Sequence, residues 1–193
     1  MSNPVILANE FYNHLNKDKK ENGALTINII EEAIISFGGQ ITYEQLDIGC
    51  DGKIEAIVDI SIPKEPKIDS FSIIINNFYK DDEANRKRLL AHELSHLLLH
   101  LDIPSEAKST ENNKITLKFE DSIMSRGTNL EKEVEADLFA EHFILPNNIL
   151  KLLLSERKYI KDGGFIDFDN MSKEEKIHKN SLRARAIKLG YVK

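Results

Sequence analysis

Arg88-Leu89-Leu90-Ala91-His92-Glu93-Leu94-Ser95-His96-Leu97-Leu98-Leu99-His100 is the stretch that decides how this chain is read. Inside it, His92, Glu93 and His96 have the spacing His-Glu-x-x-His. Residues four apart on a helix lie on one face, one above the other. Two imidazoles so placed can close on one zinc ion, and the glutamate beside the first can reach the water that the metal activates. From about Asp82 to Leu101 the apolar period is helical, with Leu90, Leu94, Leu97, Leu98 and Leu101 in one stripe. His92 and His96 fall on the opposite side, flanked by Leu89 and Leu99. A helix with leucines on both faces is covered on both sides, so the histidine pair is expected to face an inner cleft.

Two histidines do not complete a zinc site. A catalytic site takes a third protein ligand and leaves one position for water. The next helical pattern, Leu130 to about Ile144, carries Glu131, Glu133, Glu135, Asp137, Glu141 and His142. On a wheel centred on Glu133, the apolar residues Leu130, Ala136, Ala140 and Ile144 fall within about 60° and Asp137 within about 40°, at 100° per residue. Glu131, Glu135 and His142 fall on the far side, where charges meet water. A carboxylate amid an apolar face must be compensated. A salt bridge is the ordinary solution, but two acids on one face and a histidine pair short of a ligand point to the metal. Glu133 is therefore assigned as the third ligand. Asp137 is assigned as the acceptor that fixes the ring of a ligand histidine. His100 reads as a packed or hydrogen-bonded histidine, and His14 and His178 carry no signal.

Outward from this pair, Pro4 to about Lys17 and Leu25 to about Phe37 have helical spacing, and Gly38-Gly39 stops the second. Gln40–Glu44, Lys53–Ile62 and Phe71–Asn76 read as strands, with a turn at Asp51-Gly52. A meander is their simplest arrangement. Ile73-Ile74-Ile75 implies burial on both faces of its strand. After the decisive helix, Pro104 ends the region, Ser105–Asn113 is a polar loop and Lys114–Phe119 a short strand. Asn129 is positioned to cap the third-ligand helix. A short helix at Ile149–Leu154, a loop through Gly163-Gly164 and Asp167–Asn170, and a basic helix from Ser172 to Leu189 follow, with Gly190 as its stop. The expected class is α+β, with a small antiparallel sheet packed on the His-Glu-x-x-His helix and further helices at both ends. Residues 1–146 form the domain and 147–193 a basic helical extension packed on or appended to it.

Composition narrows the function classes. The chain has 193 residues, 41% hydrophobic and 30% charged, as in a soluble domain with a real core. The single cysteine, Cys50, excludes an internal disulfide framework. Met1-Ser2-Asn3-Pro4 begins no basic-then-apolar leader, and no apolar run approaches the ~20 residues of a membrane span. The cytoplasm is the expected location. The net charge of −6 is uneven, since Met171–Lys193 holds seven Lys/Arg and two Asp/Glu. A solvated helix face accounts for this better than a nucleic-acid tail, because the acidic remainder opposes nonspecific DNA binding.

The segments Ala91–His100, Phe71-Ser72-Ile73-Ile74-Ile75-Asn76 and Glu133-Val134-Glu135-Ala136-Asp137-Leu138-Phe139-Ala140 with Phe143-Ile144-Leu145-Pro146 resemble the ImmA/IrrE-type zinc metallopeptidases. The resemblance is good from Gly39 to Pro146 and fainter over Ser181–Gly190. Ser95 stands where many members have glycine, and Lys87-Arg88 where many have Arg-Phe. The resemblance implies a zincin-like core of gluzincin type, with His92, His96 and Glu133 on zinc and Glu93 as catalytic acid/base. It also implies an endopeptidase that cleaves a helix-turn-helix repressor of a phage, a mobile element or a stress response. Glu93 would take a proton from water and pass it to the leaving amine. Arg126, Tyr79 and His142 are the possible oxyanion donors, with His142 disfavoured by its outward position. The rival reading is a zinc-containing module that sequesters a repressor without cutting it. A weaker third is direct DNA binding through Ser172–Lys193.

Overall fold

The structure, a computed structural model, describes residues 3–17, 23–46, 48–49, 52–63, 70–100, 114–122 and 130–192. The Asp51-Gly52 turn, Pro104, the Ser105–Asn113 loop, Arg126 and the Asn129 cap lie wholly or partly outside them. Among the described residues, seven α-helices and five strands make an α+β fold.

Helix α1, Pro4–Asn16, starts as its sequence dictates: Asn3 accepts from the amides of Val5 and Ile6, and proline fills the first turn. Helix α2, Ile27–Ser36, buries Ile27, Ile29, Ile30, Ala33 and Ile34. It ends at Gly38, whose φ of 84° suits glycine. Gly39 begins strand β1, Gly39–Glu44, because a Cβ there would come within 2.4 Å of the Phe71 ring.

The sheet departs from the expected antiparallel meander. Strand β3, Gly52–Pro63, pairs antiparallel with β4, Ser70–Asn76, and with β5, Lys114–Ser122. The short β2, Ile48–Gly49, also pairs antiparallel with β3. Strand β1, however, lies parallel to β4, from Gly39 opposite Phe71 to Glu44 opposite Asn76. The sheet is mixed, and β4 sits between β1 and β3. The Phe71–Ile75 run explains the placement. Phe71, Ile73 and Ile75 are buried and Ser72 and Ile74 half-buried, so this strand profits most from an interior position.

Helix α3, Glu83–Ser95, is N-capped by Asp82 and buries Leu89 through Ser95 without interruption. It runs on as a π-helical turn, His96–His100. Helix α4, Leu130–Ile144, packs beside α3 and beneath α1, where Phe11 meets the rings of Phe139 and Phe143 edge-on. One core cluster joins Ile73 and Ile75 of the sheet to Leu90 and Leu94 of α3 and Phe139 and Phe143 of α4.

The C-terminal region adds α5, Asn147–Ser155, α6, Phe168–Glu175, and α7, Lys179–Lys188. The expected loop at Asp167–Asn170 is instead the start of α6: Asp167 caps it by accepting from the amide of Asn170. The expected single helix over Ser172–Leu189 is two, broken at Lys176 by a left-handed φ of 51°. Leu150, Met171, Leu182 and Ala186 all enter the same core. Arg185 is buried and donates to the carbonyls of Glu141, in the last turn of α4, and of Leu145, just past its end. Glu175 is a second tie: its carboxylate accepts from the Ala24 amide and the Tyr159 hydroxyl, and its carbonyl accepts from the Lys87 ammonium. No helix among the described residues is long and apolar enough to cross a membrane.

Candidate metal centre

His92, in the last turn of α3, and His96, the first residue of the π-helical turn, sit one turn apart, 1% and 3% exposed. Their Nε2 atoms converge at 3.1 Å. Glu133, in the first turn of α4, meets both: Oε2 lies 3.2 Å from His92 Nε2, and Oε1 lies 3.6 Å from His96 Nε2. Four ligands arranged tetrahedrally at about 2.0–2.1 Å from zinc would stand about 3.3 Å apart. The donor set is also chemically suited, two imidazoles and one carboxylate, and the three groups could hold a metal ion.

The other ring nitrogens show how these donors are aimed. His92 Nδ1 lies 3.0 Å from the Asp137 carboxylate. The Asp137 and Glu133 carboxylates both only accept, and a metal held at Nε2 would leave the ring proton on Nδ1, donated to Asp137. His96 is supported differently. Its Nδ1 lies 2.9 Å from His100 Nδ1, and His100 Nε2 lies 3.1 Å from Glu135 Oε2. His100 donates from Nε2 to the carboxylate, which leaves its Nδ1 as the acceptor for the His96 Nδ1–H. Both histidines can thus adopt the tautomer that presents Nε2 to a common point, with Nδ1–H held by Asp137 or by His100.

Electrostatics agree with neutral imidazoles. Burial, and then the neighbouring His92, push His96 down to about 3. Burial also lowers His100, with Glu135 opposing it. Burial acts to raise the Glu133 carboxyl, but the His92 hydrogen bond and the two imidazoles outweigh it and hold Glu133 below the ordinary range. Glu93, the residue after His92, is fully buried. Ser95 is buried too, and its hydroxyl donates 2.5 Å back to the His92 carbonyl, which satisfies a polar group where glycine would need no partner.

The structure therefore brings His92, His96 and Glu133 together and puts Asp137 on His92. Asp137 is less enclosed than the wheel implied, with its side chain 46% exposed. Two residues placed toward water are not there. Glu135 holds His100, and His142 is buried beneath α1, beside Val5 and Asn9. The wheel considered only the face toward α3, whereas α1 covers a second one. The His100–Glu135 pair is the part that sequence reasoning missed. The available signal was the four-residue step from His96 to His100, repeating the step from His92 to His96. Among the oxyanion candidates, Tyr79 is buried in the core cluster, while His142 lines a separate pocket.

Residues 64–172, more than half of the chain, match the Peptidase_M78 family, described as the IrrE N-terminal-like domain. No curated protein gives a significant match.

Proposed function

Since the chain belongs to the Peptidase_M78 family, a metallopeptidase-type assignment, we propose that it is a zinc-dependent endopeptidase that cleaves a helix-turn-helix transcriptional repressor. The observation that carries the hydrolytic reading is the convergence of His92 Nε2, His96 Nε2 and the Glu133 carboxylate. The repressor as substrate rests on the likeness to ImmA/IrrE-type peptidases, and a cytoplasmic site of action on the single cysteine, which fits a reducing compartment.

In this reading His92, His96 and Glu133 hold zinc, which when bound supplies a Lewis acid for the scissile carbonyl and acidifies a water. Asp137 and the His100–Glu135 pair keep the two rings turned inward. Glu93 takes the proton of the attacking water and returns it to the departing amine. Its complete burial removes competing solvent from that proton transfer. The helices of 147–193 serve as a brace, since Arg185 holds the end of the helix that carries Glu133.

The test is incubation of the zinc-loaded protein with the product of the neighbouring regulator gene. Cleavage is expected, and Glu93→Gln should abolish it while retaining zinc. Undiminished cleavage by that variant would exclude the mechanism. Binding of the regulator without cleavage by either protein would favour sequestration.

A further inference from the structure

Directly behind the metal centre lies a second concavity of about 300 Å³. Asp137 belongs to both: its carboxylate holds His92 Nδ1 and also lines this cavity. The cavity's charge is opposite in character. Lys87 and Arg88 come from α3, and Lys176, His178 and Arg185 from the α6–α7 junction and α7. Of the residues lining it, Asp137 and Glu141, both on α4, oppose them.

Three features make this more than a basic surface. Lys87 is 2% exposed, an uncommon place for an ammonium. Its Nζ donates 2.6 Å to the Glu175 carbonyl, a neutral acceptor. Burial lowers its pKa to about 8, with Glu83 and Glu175 only partly offsetting the loss of solvation. Next, α7 begins at the cavity with His178 as an N-cap that makes no side-chain capping bond, and Ser181 in its first turn lines the wall. The amides of an uncapped first turn favour an anion. Finally, Lys176 reaches the cavity from the one left-handed non-glycine residue among those described. Ile144 and Ile177 supply apolar wall for an organic body, and the two carboxylates can accept from its N–H or O–H groups.

We propose that this cavity, lined by Lys87, Arg88, Lys176, His178 and the first turn of α7, binds a small phosphomonoester whose body lies toward Asp137. The negative charge of the ligand then stands close to the metal centre. It favours a divalent cation there, and by linkage the metal favours the ligand by the same factor. This coupling rests on the metal-centre reading, whereas ligand binding itself does not.

The test uses the full chain, metal-free and zinc-loaded, titrated calorimetrically with inorganic phosphate, AMP, adenosine and a short single-stranded oligonucleotide. Phosphate and AMP should bind the metal-free protein, and adenosine should not. Lys87→Met and Lys176→Gly should each weaken AMP at least about tenfold, the scale of one charge-assisted bond. Lys176→Gly relaxes the left-handed backbone, so its loss of binding cannot be laid to misfolding. Chelator competition should show tighter zinc binding with AMP present, an effect absent in Lys176→Gly. The site is overturned if neither phosphate nor AMP binds, if binding is unchanged in both variants, or if only the oligonucleotide binds. An unchanged zinc affinity with AMP bound overturns the coupling alone.

Discussion

The two histidines of the centre are held by unlike means. On the side away from Glu133, His92 rests on the carboxylate of Asp137, which is nearly half exposed. His96 rests on a buried imidazole, His100, which rests in turn on Glu135. On the first side, water can replace a deleted partner. On the second it cannot, because the acceptor lies inside the protein and its loss strands a buried N–H. The cost of removing a supporting group is set by its burial more than by its charge.

The largest effect should therefore come from His100→Phe, which keeps the volume but removes the acceptor. Zinc affinity, measured by chelator competition, should fall toward the upper end of the roughly 10–100-fold range for such supporting groups. Asp137→Ala should cost less, roughly tenfold in the same assay. A larger loss in Asp137→Ala than in His100→Phe would break the comparison.

A pH series sharpens it next. His96 and His142 are pushed to about 3 and about 4, in both cases chiefly by burial. An unfolded histidine titrates near about 6.5. The folded state therefore binds fewer protons below that value. The stability of the metal-free protein should be fully present above pH about 6.5 and decline as pH falls toward 4. Denaturant midpoints should show this, and His142→Leu should flatten the decline, since its Nδ1 is buried without a hydrogen-bond partner among the described residues. The smallest effect is expected for Ser95→Ala, about 1 kcal/mol in denaturant titration, because only one local bond to the His92 carbonyl is removed.

What the sequence disclosed followed periodicity. The helical stripe of α3, the four-residue histidine step and the Glu133–Asp137 pair are all local facts of a 100° repeat. The helix spans 130–144 and 4–16 came from the same signal. The rest depended on partners far along the chain. Nothing in Gln40–Glu44 says that it will lie parallel to Phe71–Asn76. A wheel drawn for one neighbour misplaces His142 when α1 covers another face. The reach from His100 to Glu135 involves a π-helical turn, where the 3.6-residue repeat no longer applies. The break at Lys176 was hidden because a lysine carries none of the usual signs of a left-handed turn.

Glu175 also bears on the order in which the molecule can assemble. Its carboxylate receives the Ala24 amide, a contact spanning 151 residues, and its carbonyl receives the Lys87 ammonium. Chain emerging from a ribosome would have both partners waiting before Glu175 is made. The helix bearing His92 and His96 then gains this tether only after residue 175 exists. Closing so long a loop is slow, and a late closure of this kind would delay the finished metal centre until Glu175 has been made.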